Sequence, residues 1–236
     1  MNVLAFDTAT SSCAITVWRK GDTLAQAQQM LERSHSEVLV PTIEKVLAAA
    51  GLTYQELELL AVTIGPGAFT GIRIGLATAR ALALASELPL IGITNFAALA
   101  HAVPARERNG RNLLIVLETK RADFYACGYD ENLIPIAEPQ AIDRAGLKDL
   151  AVDMASSGRL LLAGDCIDRA CQVLQKGVLD ILVSAGSSHV DPAIVAELAA
   201  AKFKTGTAFE NPAPLYLKPP DVNMSGVKPP TRQITP

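Results

Sequence analysis

The residues NVLAFDTATSSCAITVWRKGDTLAQAQQ (2–29) are answered by LLIVLETKRADFYACGYDENLIPIAEPQ (113–140). Each stretch gives an apolar strand ending in an acid, a polar loop, a second strand, a tight turn and a third strand. Laying Asp7-Thr8 over Glu118-Thr119, a shift of 111 residues, sets CAITVW opposite FYACGY. The elements after each stretch match as well. In the first copy Ser34 and Glu37 form a capping-box pair opening a helix. Val38, Leu39, Ile43, Val46, Leu47 and Ala50 recur along it at three- and four-residue intervals, and Pro41 should bend it near its first turns. A second box, Thr53 to Glu56, starts a short helix before the strand LLAVTIG. A long helix to about Ser86, the strand PLIGI and a helix from Thr94 complete the copy. The second copy continues with a helix near 143–155, the strand RLLLAG, a helix from about Asp168 and another after Pro192. A period of this length indicates a duplicated domain rather than a solenoid. The expected division is 1–105, 106–218, with PAPLYLK (212–218) packed on the body, and a proline-rich, mobile tail over 219–236.

Composition narrows the class. Half of the 236 residues are apolar and 19% charged, enough to bury the cores of one large or two modest domains. Arg80 interrupts the longest apolar run, so no membrane span is expected. The opening MNVLAFDTAT reads as a strand and not as a secretory signal. Cys13, Cys127, Cys166 and Cys171 show no CxxC spacing and read as reduced thiols of a cytoplasmic protein. Net charge is −3, with no basic stripe of the kind that neutralises phosphates. Contact with nucleic acid is therefore expected to run mostly through a partner.

The string GPGAFTGIRIGLATARALALA (65–85) poses the functional question. A Walker loop requires GxxxxGK[ST], and the dinucleotide fingerprint would require glycine where this chain has Thr70. Neither is met. One property remains: Gly67, Thr70 and Arg73 stand at a helix start, which attracts anions, and Thr70 is placed to cap it. The other reading is packing. Gly71, Gly75, Ala79 and Ala83 are four apart and form one stripe without bulk, fit to meet another backbone. That stripe faces either the chain's own sheet or another subunit.

Two copies of strand–strand–strand–helix–strand–helix describe an α/β protein with mixed sheets, similar to the actin-like ATPase (ribonuclease H-like) fold. In such proteins ATP lies between the halves, held by the loop after each first strand. The string GPGAFTGIRIGLATARALA, the opening LAFDTATSSCAITVW, HSEVLVP, LLAGD (161–165) and PLYLK (214–218) closely resemble the TsaB (YeaZ-type) family over residues 1 to about 218. The resemblance implies a non-catalytic subunit in the synthesis of threonylcarbamoyladenosine beside the tRNA anticodon. It implies as partners the catalytic paralogue TsaD and the P-loop ATPase TsaE, a homodimer when alone, and tRNA through the complex. Val38, Leu39, Val46 and Leu47, with Gly71, Gly75, Ala79 and Ala83, would form the partner interface, so that Gly75→Leu abolishes pairing but leaves the chain folded.

The residues agree with a role outside catalysis. The paralogue's HxxxH metal helix should correspond to TNFAALAHA, where the ligand positions become Asn95 and Leu99, and leucine cannot coordinate a metal. His35 is expected exposed in a first helical turn, and His101 near a helix end. The first hairpin loop, DTATSS, lacks the glycines with which actin-like kinases approach phosphates. Asp7, Thr8, Thr10 and Ser11 form either a vestigial nucleotide loop or a hydrogen-bonded turn. In the second copy Glu118, Thr119, Lys120 and Arg121 replace the family's usual Asp-Ala-Arg. No cofactor is expected in the isolated chain, and the joint interface of the complex is left open as a site for ATP or ADP. The competing reading is a stand-alone ATPase or phosphotransferase holding Mg-ATP between Asp7 and Glu118.

Overall fold

Two five-stranded mixed sheets carry the duplication. A computed structural model of the chain describes residues 1–30, 35–119, 121–155, 158–174, 179–186, 188–206 and 211–218. The first repeat holds β1 (Asn2–Asp7), β2 (Ser12–Arg19), β3 (Asp22–Met30), α1 (His35–Ala50), β4 (Leu59–Thr63), α2 (Phe69–Ser86), β5 (Leu90–Ile93) and α3 (Asn95–Ala102). After one helical turn, α4 (Ala105–Arg108), the order returns. It runs β6 (Asn112–Glu118), β7 (Phe124–Tyr129), β8 (Pro135–Ile142), α5 (Arg144–Met154), β9 (Arg159–Gly164), α6 (Ile167–Leu174), β10 (Asp180–Val183) and α7 (Pro192–Lys204). The sheets read β3-β2-β1-β4-β5 and β8-β7-β6-β9-β10, strand for strand the same. In each, the hairpin strands pair antiparallel and the last two strands add in parallel. This is the actin-like arrangement expected from the sequence.

The register corrects one detail of the internal alignment. Side chains alternate between sheet faces. Val3 and Ala5 of β1 face the core between the sheets, and so do Leu113, Ile115 and Leu117 of β6. Leu4 and Phe6 face outward, as do Leu114 and Val116. The face-preserving shift for the first strand is therefore 110, which sets Asp7 over Leu117 and not over Glu118. For the second strand a shift of 111 holds: Cys13 and Phe124 both point outward, and Trp18 and Tyr129 both inward. The second hairpin loop is thus one residue longer, and its acid faces the other way.

Each repeat lends its last helix to the other. α7 packs on β1, β2, β4 and β5 of the first sheet, while α3 packs on β6 and β9 of the second. Phe96, Leu99, Val195 and Ala199 seal the central core, each fully or almost fully buried. Burying one such large side chain contributes about 1.5–3 kcal/mol, so the shared core ties the halves into one unit. The outer faces are covered locally, by α1 and α2 on the first sheet and by α5 and α6 on the second.

Local signals were partly accurate. Thr94 caps α3 by accepting from the Ala97 N–H at 3.1 Å. Thr53 and Glu56 do pair, the Thr53 N–H donating to the Glu56 carboxylate at 2.8 Å, but around a single 3-10 turn, Tyr54–Glu56. α1 continues through Pro41 to Ala50. The Ser34 cap, Lys120 and the tail 219–236 lie outside the described residues. Residues 212–217 pack on the body, as expected of PAPLYLK: Pro212 is buried and the Leu215 N–H donates to the Ile64 carbonyl at 2.8 Å. Among the described residues, no helix is long and apolar enough to cross a membrane.

Candidate functional site

The loop that would hold phosphates in an actin-like ATPase is packed shut. β1 ends at Asp7, whose carboxylate is fully buried on the face toward the central core. It accepts from the Thr63 hydroxyl at 2.5 Å, the Thr10 hydroxyl at 2.6 Å and the Ala9 N–H at 3.0 Å. Burial pushes its pKa above the ordinary carboxylate range, and these hydrogen bonds only partly oppose that shift. DTATSS thus forms a hydrogen-bonded turn around the Asp7 carboxylate. A carboxylate so engaged does not fit a role in orienting a metal–nucleotide pair, and Glu118 is turned to the opposite face, 3.2 Å from Arg169. Asp7 and Glu118 thus do not converge on a shared nucleotide.

Asp7 also supplies a pH prediction. A pKa raised in the folded state gives stability that is full below the unfolded pKa and lost as pH rises through the folded one. Wild-type stability should therefore fall relative to Asp7→Asn as pH rises from about 4 toward neutrality, the unfolded aspartate titrating near 3.9. Paired urea denaturation curves across that range measure it. A difference independent of pH would show that Asp7 is ordinary in its ionisation.

The glycine stripe explains why the loop is shut. A Cβ at Gly67 would overlap the Ala9 carbonyl oxygen, and one at Gly71 the Thr8 carbonyl oxygen. At Gly75 it would stand 2.5 Å from the Thr8 hydroxyl oxygen. The close approach lets the Thr8 hydroxyl donate to the Gly71 carbonyl at 2.8 Å and the Ala68 N–H donate to the Ala9 carbonyl at 2.7 Å. The stripe therefore meets the chain's own first hairpin. This corrects the interface expected from sequence. Gly71, Gly75 and Ala79 are buried, and so are Leu39, Val46 and Leu47 of α1, all against the first sheet. Val38 and Ala83 are half-buried. Gly75→Leu would disrupt the fold instead of sparing it. The outward faces carry other residues: Val40, Ala48 and Ala49 on α1, and Ala77, Ala81 and Leu84 on α2, with Leu84 84% exposed.

The helix start does not assemble as an anion cradle. α2 begins at Phe69, its N-cap residue Ala68 makes no side-chain capping bond, and Thr70 lies exposed inside the helix instead of at the cap position. Arg73 is drawn sideways. Its guanidinium lies 3.6 Å over the Phe69 ring, and its Nε donates to the Tyr216 hydroxyl at 2.9 Å. The Phe69 and Tyr216 rings are 5.1 Å apart, and Arg80 donates to the Pro212 carbonyl at 2.6 Å. The 212–218 segment continues across to the second repeat, where Lys218 pairs with Asp123 in the second hairpin loop. Sequence reasoning placed this segment on the body but missed Thr63 and Phe69 as working partners in the site. Thr63 carried a usable signal: it ends the parallel neighbour of β1 on the same face as Asp7.

The remaining candidates sit apart. Asn95 and Leu99 are buried in the central core. His35 is half-buried instead of exposed, and the His101 ring Nδ1 lies 2.9 Å from the Ala97 carbonyl. All four thiols are free; burial lifts Cys13 to about 11 and Cys166 to about 12, far from a reactive thiolate.

Comparison with known proteins places this geometry. The family model described as TsaD, tRNA N6-adenosine threonylcarbamoyltransferase, matches residues 27–223. The tRNA threonylcarbamoyladenosine biosynthesis protein TsaB of Escherichia coli is 33% identical over 134 residues, covering 56% of this chain and 57% of that protein. Its Haemophilus influenzae counterpart is 30% identical over 125 residues, 53% and 52% of the two chains. The chain thus spans about half the length of these curated relatives. An uncharacterised Mycobacterium tuberculosis protein is 30% identical over 172 residues, 70% of this chain and 78% of its own. A Pseudomonas aeruginosa crystal structure, described as similar to peptidase YEAZ, superposes with a TM-score of 0.77 at 21% identity, covering 92% of this chain and 99% of that one, and so shares the fold. On the breadth of the family match and the similarity to curated TsaB proteins, this chain belongs to the TsaB (YeaZ-type) branch of the family whose model is described as TsaD.

Proposed function

We propose that this chain is a non-catalytic scaffold and activator subunit of the assembly that adds threonylcarbamoyl to the adenosine beside the tRNA anticodon. It pairs with the catalytic TsaD-type paralogue, and the TsaE-type ATPase joins the pair. One observation carries the reading. A single helix, α2, uses its glycine face to close the loop where chemistry would sit and turns an apolar face, Ala77, Ala81 and Leu84, to the outside. Together with Val40, Ala48 and Ala49 of α1, this gives a low-relief surface suited to helix-on-helix packing. A paralogue of the same fold offers a like surface, so a second copy of this chain occupies the face when the paralogue is missing. Any ATP or ADP belongs to the joint interface.

Size-exclusion chromatography of the two proteins mixed tests the reading. The expected result is a complex at micromolar concentration. Separate elution of two folded proteins would remove the scaffold role.

A further inference from the structure

The back of the second sheet holds a feature that the scaffold role does not use. Between α5 and α6 runs a cleft of about 210 Å³, lined by Arg144, Lys148, Arg169, Gln172 and Val173. Arg144 and Lys148 stand four residues apart, so one face of α5 presents both, in the first turns after the Asp143 cap. Across the cleft Arg169 is held rigidly. Its guanidinium lies 4.3 Å over the Phe124 ring, donates to the carbonyls of Arg121 and Asp123, and stands 3.2 Å from Glu118. Its buried Nε has no hydrogen-bond partner among the described residues. The lining thus brings three cations and an amide to one cleft, with no carboxylate among them, on a chain whose net charge is −3.

Glu118 offsets the charge of Arg169, so exposed Arg144 and Lys148 on α5 supply the positive charge that draws an anion into the cleft. Cationic side chains backed by an N-terminal helical turn are the chemistry that receives phosphate. Arg169, held by the second hairpin loop, forms one fixed wall, and exposed Arg144 and Lys148 can close on a ligand from the other. We infer that the α5–α6 cleft binds a phosphate group, supplied by the backbone of RNA. The phosphate chemistry stands on the cleft alone; the choice of RNA as its source rests on the function proposed above.

The test leaves Arg169 in place, since it orders the second hairpin loop. Arg144→Gln/Lys148→Gln is compared with Arg106→Gln/Lys204→Gln, an equal charge change on exposed positions of α4 and α7. Fluorescence anisotropy follows a labelled RNA stem-loop binding the full chain in about 50 mM salt and above, where phosphate binding registers most strongly. The cleft pair should weaken binding about tenfold and make the slope of log affinity against log salt shallower by about 2, one for each cation removed from a phosphate. The control pair should do neither. Equal losses from both pairs, or none, with AMP and inorganic phosphate also failing to shift amide resonances of α5 and α6, would overturn the inference. Resonance shifts from AMP or phosphate without any RNA effect would keep the phosphate site and overturn RNA as its source. Chromatography with the paralogue, run on the same variants, keeps a failure here distinct from a failure of the scaffold reading.

Discussion

Gly71→Ala is expected to lower the unfolding free energy by about 2–4 kcal/mol, although alanine is the better helix former by roughly 1 kcal/mol. The new methyl group would overlap the Thr8 carbonyl oxygen, which is backbone and cannot swing aside like a side-chain end. The hairpin must lift from α2. That movement strains the Thr8–Gly71 and Ala68–Ala9 hydrogen bonds, each contributing about 1 kcal/mol. It also pulls on Asp7, which precedes Thr8 and has no room to reach water. Urea denaturation followed by circular dichroism measures the loss as a lower midpoint. An unchanged midpoint would mean that the loop and helix do not pack as closely as described.

Leu84→Arg should do the opposite. Leu84 lies 84% exposed on the outer side of α2, so its replacement leaves the core intact and shifts stability by no more than about 0.5 kcal/mol. In a complex packed on that face, the arginine would place an unpaired charge against apolar residues. Affinity for the paralogue should fall about 30-fold or more, equivalent to about 2 kcal/mol, the scale of a central interface residue. Co-elution would then disappear at micromolar protein while the variant elutes as a folded chain. Normal pairing would move the interface away from α2.

These two positions show what was legible in the sequence. The duplicated order of elements could be read because alternating and three-to-four periodicities mark strands and helices locally. The glycine stripe was equally visible, but a stripe only says that something comes close. Gly71 and Gly75 meet Thr8, some sixty residues away, and only the fold brings that hairpin onto α2. The periodic residues Leu39, Val46 and Leu47 signalled burial correctly, and burial against the first sheet removes them from any surface. The counterpart of Asp7 is hidden for a related reason. Glu118 also ends a first strand, yet one residue of register turns a side chain to the other face, and no local pattern records that slip. Tyr216 and Lys218 are legible as part of a packed segment, while their partners Arg73 and Asp123 come from opposite repeats.

The role assigned to this chain stands or falls on reconstituted tRNA modification by the paralogue and its ATPase, run with the chain present, with it omitted, and with the chain alone. The account predicts that the chain raises the rate of threonylcarbamoyl transfer by the others and forms no product by itself. Product from the chain alone, or an equal rate in its absence, would contradict it.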